Sequence, residues 1–578
     1  MAIPILLRHA RQIVQSIEAM QSRAIIYCAS VALATLGFTS FVPAQQPDAP
    51  IQFQLTTLPF QVDGSPTQAR NMPETMAGGV AVFDYNGDGR PDIFFTNGAD
   101  IATLKKTSAR YSNRLFRNEG NGKFTDVTAH AGLAGKGFDI GVAVGDYDND
   151  GHPDLFVAGV HGNTLYRNNG DGTFTDVTKQ AGLDQWTDPE YGPLWSVAAV
   201  WVDVNNDGLL DLFVVNYLQW SYSDQPRCVT ENTAEYCHPR NFKGQPNQLF
   251  INQGNGTFKD ASKEWGIRQQ VGKGMGAGIA DYDLDGKPDI FVTNDAEYNF
   301  LFHNLGNRFE EVAFQTNVAL AEDAAFISGM GLDFRDIDND GYPDIGYVAL
   351  KGQTFPVYRN TGKGDFTEIT SQSGIRAGSM KMSGFGAGFY DFDNDGWKDF
   401  FVARGNVVSS WPLGITFGEP NAVFRNPGAG GGKWTAYVAE AGFTDATIAR
   451  HRGCAFGDFD GDGRIDIVAT SVDAPAELWM NRSPHAGHWL DIALTGVKSN
   501  RDGIGARIKV VTKAGAQYNH QTSSVGYASS SLGPVHFGLG AETRALTVEI
   551  AWPSGIVQKL ENVGADRIVK ITEAVPKS

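Results

Sequence analysis

Positive charge is scarce in this chain of 578 residues: 47 lysines and arginines stand against 65 aspartates and glutamates, for a formal net charge of −18. Binding to nucleic acid needs a basic face against the phosphates, so that class of function is excluded. Long apolar runs are absent except for Ala24 to Val42, and no other stretch is apolar and uncharged enough to span a bilayer. Leucine-rich heptads are missing, which removes the coiled coil. There is no HExxH, no GxSxG, no Walker loop and no Cys-His pair in a plausible context, so no enzyme class announces itself locally. Only four cysteines occur. Cys28 falls in the apolar run, Cys228 and Cys237 bracket CVTENTAEYCHP, and Cys454 sits in GCAFGDFD on an expected strand. A Cys228–Cys237 disulfide is expected if the chain is exported, with Cys454 free as a small buried residue.

The N-terminus carries Arg8, Arg11 and Arg23, the apolar run, and then Val42-Pro43-Ala44. This order resembles a secretory signal over residues 1–44, cleaved after Ala44. The run is also long enough to span a bilayer, so an uncleaved anchor is the other reading. Export places the protein in the periplasm, at the cell surface or outside the cell.

What is abundant is glycine, 68 residues, together with 11% aromatics. That composition favours short strands joined by tight turns. The arrangement is periodic. FDYNGDGRPDIF, GDYDNDGHPDLF, VDVNNDGLLDLF, ADYDLDGKPDIF, RDIDNDGYPDIG, YDFDNDGWKDFF and GDFDGDGRIDIV are seven copies of one pattern. Each lies between a small apolar stretch and an apolar run, hence between two strands. A second signature follows, clearest in NRLFRNEGNGKFTDVT from Asn113 and NTLYRNNGDGTFTDVT from Asn163, and reads as strand, turn, strand. Four strands per repeat, repeated around an axis, make a β-propeller. The last repeat lacks a fourth strand while FQLTTLPF, from Phe53, stands alone before the first loop, so the N-terminal strand is expected to complete the seventh blade.

Within each loop, positions one, three, five and nine carry oxygen donors, position six is glycine and position seven varies. A position indifferent to its side chain suits a backbone carbonyl ligand, and calcium takes about six to eight oxygens. The expected ligands are Asp84, Asn86, Asp88 and Asp92; Asp146, Asp148, Asp150 and Asp154; Asp203, Asn205, Asp207 and Asp211. They continue with Asp281, Asp283, Asp285 and Asp289; Asp336, Asp338, Asp340 and Asp344; Asp391, Asp393, Asp395 and Asp399; Asp458, Asp460, Asp462 and Asp466. The carbonyls would come from Arg90, His152, Leu209, Lys287, Tyr342, Trp397 and Arg464. So many unpaired carboxylates repel one another without a cation, and up to seven Ca²⁺ would offset part of that charge. Mg²⁺ fits less well, because it holds its water and wants six short bonds. Strands flank each loop and no Glu stands at position twelve, so these are not EF-hands.

These loops and the LFRNxGxGxF strands resemble the FG-GAP/VCBS repeats of integrin-α-type propellers. HWLDIALTGVKSNRDGIGARIKVVT from His488, with VHFGLG and VEIAWPSG, resembles the ASPIC/UnbV domain. The combination is similar to the cartilage acidic protein family. The expected architecture is all-β: a seven-bladed, integrin-α-like β-propeller over 45–484 with calcium loops, then a small β-sandwich-like domain over 485–578. The resemblance implies an extracellular or periplasmic calcium-binding protein of adhesion type, and it names no ligand. Asn86 and Asn205 depart from the pattern and should weaken their sites modestly.

The expected role is a scaffold for a protein or glycan ligand, calcium being structural. Specificity is assigned to the insertions Asp184 to Pro193, Ser221 to Pro246 and Val407 to Pro420. Their aromatics Trp186, Tyr191, Trp220, Tyr222 and Trp411 read either as ligand contacts or as packing within the loops. The scattered His130, His161, His238, His451 and His536 read as structural. The alternative is a polysaccharide lyase or hydrolase whose site is assembled from several blades and leaves no local motif. In the C-terminal domain Arg501 and Asp502 are expected to be exposed, and the domain reads either as a binding module or as one that packs on the propeller and stiffens it.

Overall fold

The computed structural model describes residues 50–230, 233–407 and 416–574, all within one compact unit. The expected leader, Cys28 and Trp411 lie outside the described residues. Among the described residues no helix is long and apolar enough to cross a membrane.

In the second repeat the four strands are Phe138–Gly145, Asp154–Val160, Thr164–Asn168 and Phe174–Asp176, antiparallel in that order. The two that flank the Asp-rich loop are buried at every position, which is why, apart from Asp139 and the loop residue Asp154, they read as apolar and small residues rather than as an alternation. Among the described residues six repeats form such a four-stranded sheet, and the four strands of the first, Val80–Phe83, Asp92–Phe95, Arg114–Asn118 and Phe124–Asp126, lie in a six-stranded sheet with Ser524–Val525 and Ser529–Ser531. Their innermost strands lie side by side in chain order, and His451–Gly457 of the last lies against Val80–Phe83 of the first.

The seventh sheet takes three strands from its own repeat and a fourth from the N-terminus. Phe53–Thr57 runs antiparallel to Glu477–Asn481, Phe53 opposite Asn481 and Thr57 opposite Glu477. Phe53 packs its ring on Phe392 and Phe443, so the strand is anchored by burial as well as by its ladder. The expected closure by the N-terminal strand is present.

The C-terminal segment forms two sheets over one core. One orders Ala516–His520, Arg507–Val511, Arg544–Ala551 and Val557–Gly564; the other orders Val535–Gly540, His488–Thr495 and Arg567–Thr572. Leu490, Ile492, Ile508, Val510, Phe537, Val548 and Ile550 fill the space between them.

This domain does more than pack on the propeller. Its hairpin Ser524–Val525 and Ser529–Ser531 enters the centre of the ring, where Ser529–Ser531 pairs in parallel with Val80–Phe83. The inner strand of each sheet is an edge, and its N–H and C=O groups need partners once water is excluded. Ser529, Ser530 and Ser531 accept the N–H groups of Val80, Val144 and Phe456, while Ser524 donates to the carbonyl of Ala277. Gly526 bonds Leu332, and the Ala528 carbonyl accepts Val142 N–H. The Tyr527 hydroxyl donates to the Met76 carbonyl at 2.7 Å, with its ring edge-on to Phe385. Gly331 makes this approach possible: a Cβ there would lie 2.3 Å from the Phe385 carbonyl oxygen and 2.6 Å from Tyr527 N.

Candidate metal centres

All seven loops share one conformation. The position-six glycine N–H donates to the position-one aspartate at 2.7–2.9 Å. The position-seven N–H donates to the position-five carboxylate at 2.9–3.0 Å. The position-nine carboxylate spans two strands, accepting the position-two N–H on one oxygen and, on the other, the N–H of the asparagine in the second signature. Position four holds a positive φ throughout, which glycine or asparagine fills in six loops and Leu284, at φ 63°, fills in the fourth.

The donors converge. Carboxylate oxygens of Asp146, Asp148 and Asp154 lie within 4.8 Å of one another, as do those of Asp281, Asp283 and Asp285, of Asp336, Asp338 and Asp340, and of Asp391, Asp393 and Asp399. The position-nine residues Asp92, Asp154, Asp211, Asp289, Asp344, Asp399 and Asp466 are fully buried. Burial pushes Asp92 up to about 8. Burial first, and then repulsion from neighbouring carboxylates, does the same to Asp146 and Asp391. Asp148, Asp281 and Asp393 each keep one buried oxygen that accepts no hydrogen bond. An acceptor with no donor, inside a cluster of like charge, is what a bound cation would satisfy. Asn86, Asp88, Asp150, Asn205, Asp207, Asp285, Asp340 and Asp460 lie at the exposed rim of their loops.

Two expectations need correction. The loop carboxylates are not all unpaired: Arg425 binds Asp393 at 2.7 Å and Asp395 at 2.6 Å, and Arg482 binds Asp460 at 2.7 Å. Nor is position seven always indifferent to its side chain, because Arg90, Lys287 and Arg464 reach back to Asp88, Asp285 and Asp462.

Family descriptions match the chain in two parts: "FG-GAP-like repeat" at residues 84–157, 146–214, 240–292, 281–347, 336–402 and 391–469, and "ASPIC and UnbV" at 496–578. The repeat matches alone cover more than half of the chain. The chain belongs to the FG-GAP repeat family. It is similar to cartilage acidic protein 1 of Xenopus tropicalis, 24% identical over 520 residues, which is 86% of this chain and 73% of that protein. The Homo sapiens protein is 25% identical over 519 residues, 86% of this chain and 71% of that protein. Among solved structures, an Agrocybe aegerita lectin that recognises non-reducing terminal N-acetylglucosamine has a TM-score of 0.37 at 17% identity, covering 69% of this chain and 93% of that one. A Bacillus licheniformis rhamnogalacturonan lyase has 0.35 at 13%, covering 74% and 75%.

In this FG-GAP ring the asparagine of the second signature does work that the sequence reading missed. Asn118, Asn168, Asn252, Asn304, Asn360, Asn426 and Asn481 each donate to a position-two carbonyl of the preceding loop at 2.8–3.0 Å, and Asn118 reaches Phe459 of the seventh loop. The signal was present, since this asparagine stands in every repeat. A second relay runs forward: Asn149, Asn206, Asn339 and Asn394 at position four donate to the glycine carbonyl of the next loop. The loops are thereby linked to one another around the FG-GAP ring.

The loop face is also where the C-terminal domain docks. Asp502, expected to be exposed, accepts the Asp146 N–H at 2.7 Å, while Arg501, exposed as expected, gives its N–H to Asn149. Lys398 joins the carbonyls of Asp336 and Tyr518, and His536 sits between Asp491 and Asn394. Between loops three to five and this domain lies a cleft of about 460 Å³.

The antiparallel strand order puts the described parts of the three insertions on the opposite face. The Cys228–Cys237 disulfide is formed there, and Cys454 is free and buried. Trp220 is not a surface aromatic: it is buried beside Trp195 and His161. Trp186 and Tyr191 are half-buried, Tyr191 beneath the Arg268 guanidinium, while Tyr222 is exposed. A second cleft, of about 450 Å³, is lined by Arg70, Arg110, Arg450, Asp63, Glu74 and Tyr236.

Proposed function

We propose that this chain is an exported calcium-binding propeller that serves as a scaffold for a protein or carbohydrate ligand, with calcium holding the loops rather than taking part in a reaction. Asp393 carries the metal reading. It is 6% exposed, lies in the cluster with Asp391 and Asp399, and keeps a buried oxygen that no hydrogen bond reaches. The donors available are carboxylates, two amides and the position-seven carbonyls, an oxygen set that suits a hard cation of calcium's size. Bound calcium would supply the positive charge that lets these buried carboxylates stay ionised at neutral pH.

The loop face bears the C-terminal domain, so the free surface for a ligand is the insertion face. The cleft lined by Arg70, Arg110, Arg450, Asp63 and Glu74 is of mixed charge, which supports a polar ligand such as a glycan or a protein surface. The order of arginines, apolar run and small residues at the N-terminus supports export.

Metal analysis of the purified protein, with thermal unfolding in calcium and in chelator, tests the first part. About seven calcium ions per chain and a large loss of stability in chelator are expected. No bound calcium and an unchanged midpoint would overturn it. Glycan and matrix-protein binding, run beside a polysaccharide-degradation assay, tests the scaffold role, and release of product without retention of ligand would overturn that.

A further inference from the structure

The fourth loop differs from the other six in its donor set. In the third strand of each repeat, the residue before the relay asparagine is Arg117, Arg167, Ile251, Arg359, Arg425 or Met480, but in the fourth repeat it is His303. Its Nδ1 lies 3.1 Å from Asp289 Oδ1 and 3.8 Å from Asp283 Oδ2, and donor atoms of the three residues lie within 4.8 Å of one another. The imidazole is largely buried and held edge-on against Tyr282, with ring centroids 5.7 Å apart, so its direction is set by packing.

A second difference is independent of the first. In loops one, two, three, five, six and seven, Oδ1 of the position-one aspartate accepts a backbone N–H from position four or five. In the fourth, Asp281 Oδ1 is buried and accepts none. Asp285 also contacts Lys287, and its carboxylate still converges with Asp281 and Asp283. The donors gathered at this loop are therefore four carboxylates and one imidazole nitrogen.

We propose that the fourth loop is a mixed imidazole–carboxylate site, built from His303 with Asp283 and Asp289 and completed by Asp281 and Asp285, that takes a first-row transition dication of the zinc class in preference to calcium. Calcium gains little from a nitrogen donor, whereas zinc is held by about four ligands drawn from histidine and carboxylates. The contrast with the other loops rests on the calcium reading above; the site itself does not.

The test uses the full chain, stripped with chelator and refilled with excess calcium and one equivalent of Co²⁺, whose visible absorption reports nitrogen-containing, low-coordinate sites. Wild type should keep the cobalt in the presence of calcium and yield it stoichiometrically to Zn²⁺. His303→Arg, which installs the residue four other repeats carry, should lower cobalt affinity by at least the roughly tenfold that loss of even an outer-shell partner costs, with its thermal midpoint in calcium unchanged. His303→Gln serves as the second variant should the arginine not be accommodated. Equal cobalt retention in wild type and variant, or displacement of the wild-type cobalt by calcium, would overturn the proposal and make His303 a counter-charge for Asp289, as Arg425 is for Asp393. Neither result alters the calcium content of the other loops. A chain that holds no calcium at all would overturn the calcium reading, and the cobalt spectrum would still decide the fourth loop.

Discussion

The two ends of the propeller strands are held by different chemistry. At the loop end, buried carboxylates crowd one another, and several keep an oxygen without a donor. At the insertion end, buried charges meet charges of opposite sign. His451 donates to the Arg404 carbonyl at 2.6 Å and to Glu477 at 3.0 Å, and Glu477 also accepts from Asn421 and Trp479. Arg404 is paired with Glu419, itself bonded by Asn406 and Ser383. One end therefore gathers like charges and the other pairs opposite ones.

The sharpest way to break that comparison is to remove metal. Each site filled at 100-fold excess over its Kd contributes about 2.7 kcal/mol, so chelation should cost more stability than any substitution below, read as a fall in Tm. The pH dependence should change with it. Asp92, Asp146 and Asp391 are raised from 3.8 to about 8, so without metal the folded state holds more protons than the unfolded state between those values. Stability in chelator should then fall as pH rises from about 4 to about 8, and calcium should abolish the fall. A fall of equal size in both conditions would show that cations do not replace these protons.

Tyr527→Ala tests whether the hairpin in the centre joins the two ends. Removing a fully buried ring costs roughly 3–5 kcal/mol, and calcium should not restore it. Glu477→Gln isolates the insertion end. It leaves His451 without its carboxylate and should cost about 3 kcal/mol, alike with and without calcium. Burial lowers the His451 pKa, but Glu477 outweighs it and the net shift is upward. Its contribution is therefore full below about 6.5 and lost as pH rises through the higher folded value, a window that should flatten in the variant. The smallest effect belongs to Asn149→Ala, which removes the bonds to Gly208 and to Arg501. A loss of about 1–2 kcal/mol in urea unfolding is expected.

Much of the loop end was legible in the sequence, because its pattern repeats at short range. Asp, Gly and Asp at fixed spacing set the turn, and small residues before it marked strands that must pass close to a neighbour. Trp220 was left open between ligand contact and packing, and it packs, because an aromatic in an insertion looks the same in sequence whether it faces water or Trp195. Asp502 was misjudged because nothing near it in the chain announces Asp146.

The sequence alone determined the repeat, the four strands of each unit, the donor spacing and the missing strand that Phe53–Thr57 provides. The first three depend on residues a few places apart, whose backbone geometry is local, and the last on counting a strand short in the final repeat and one to spare before the first. Tertiary structure decided which of the two faces is free, how the relay asparagines bind one loop to the next, and that Ser524 to Ser531 fills the centre of the ring. Those contacts join residues up to hundreds of positions apart, such as Val80 with Ser529 and Asn118 with Phe459. They exist because buried edge groups must find partners once the ring excludes water, a requirement that has no period along the chain.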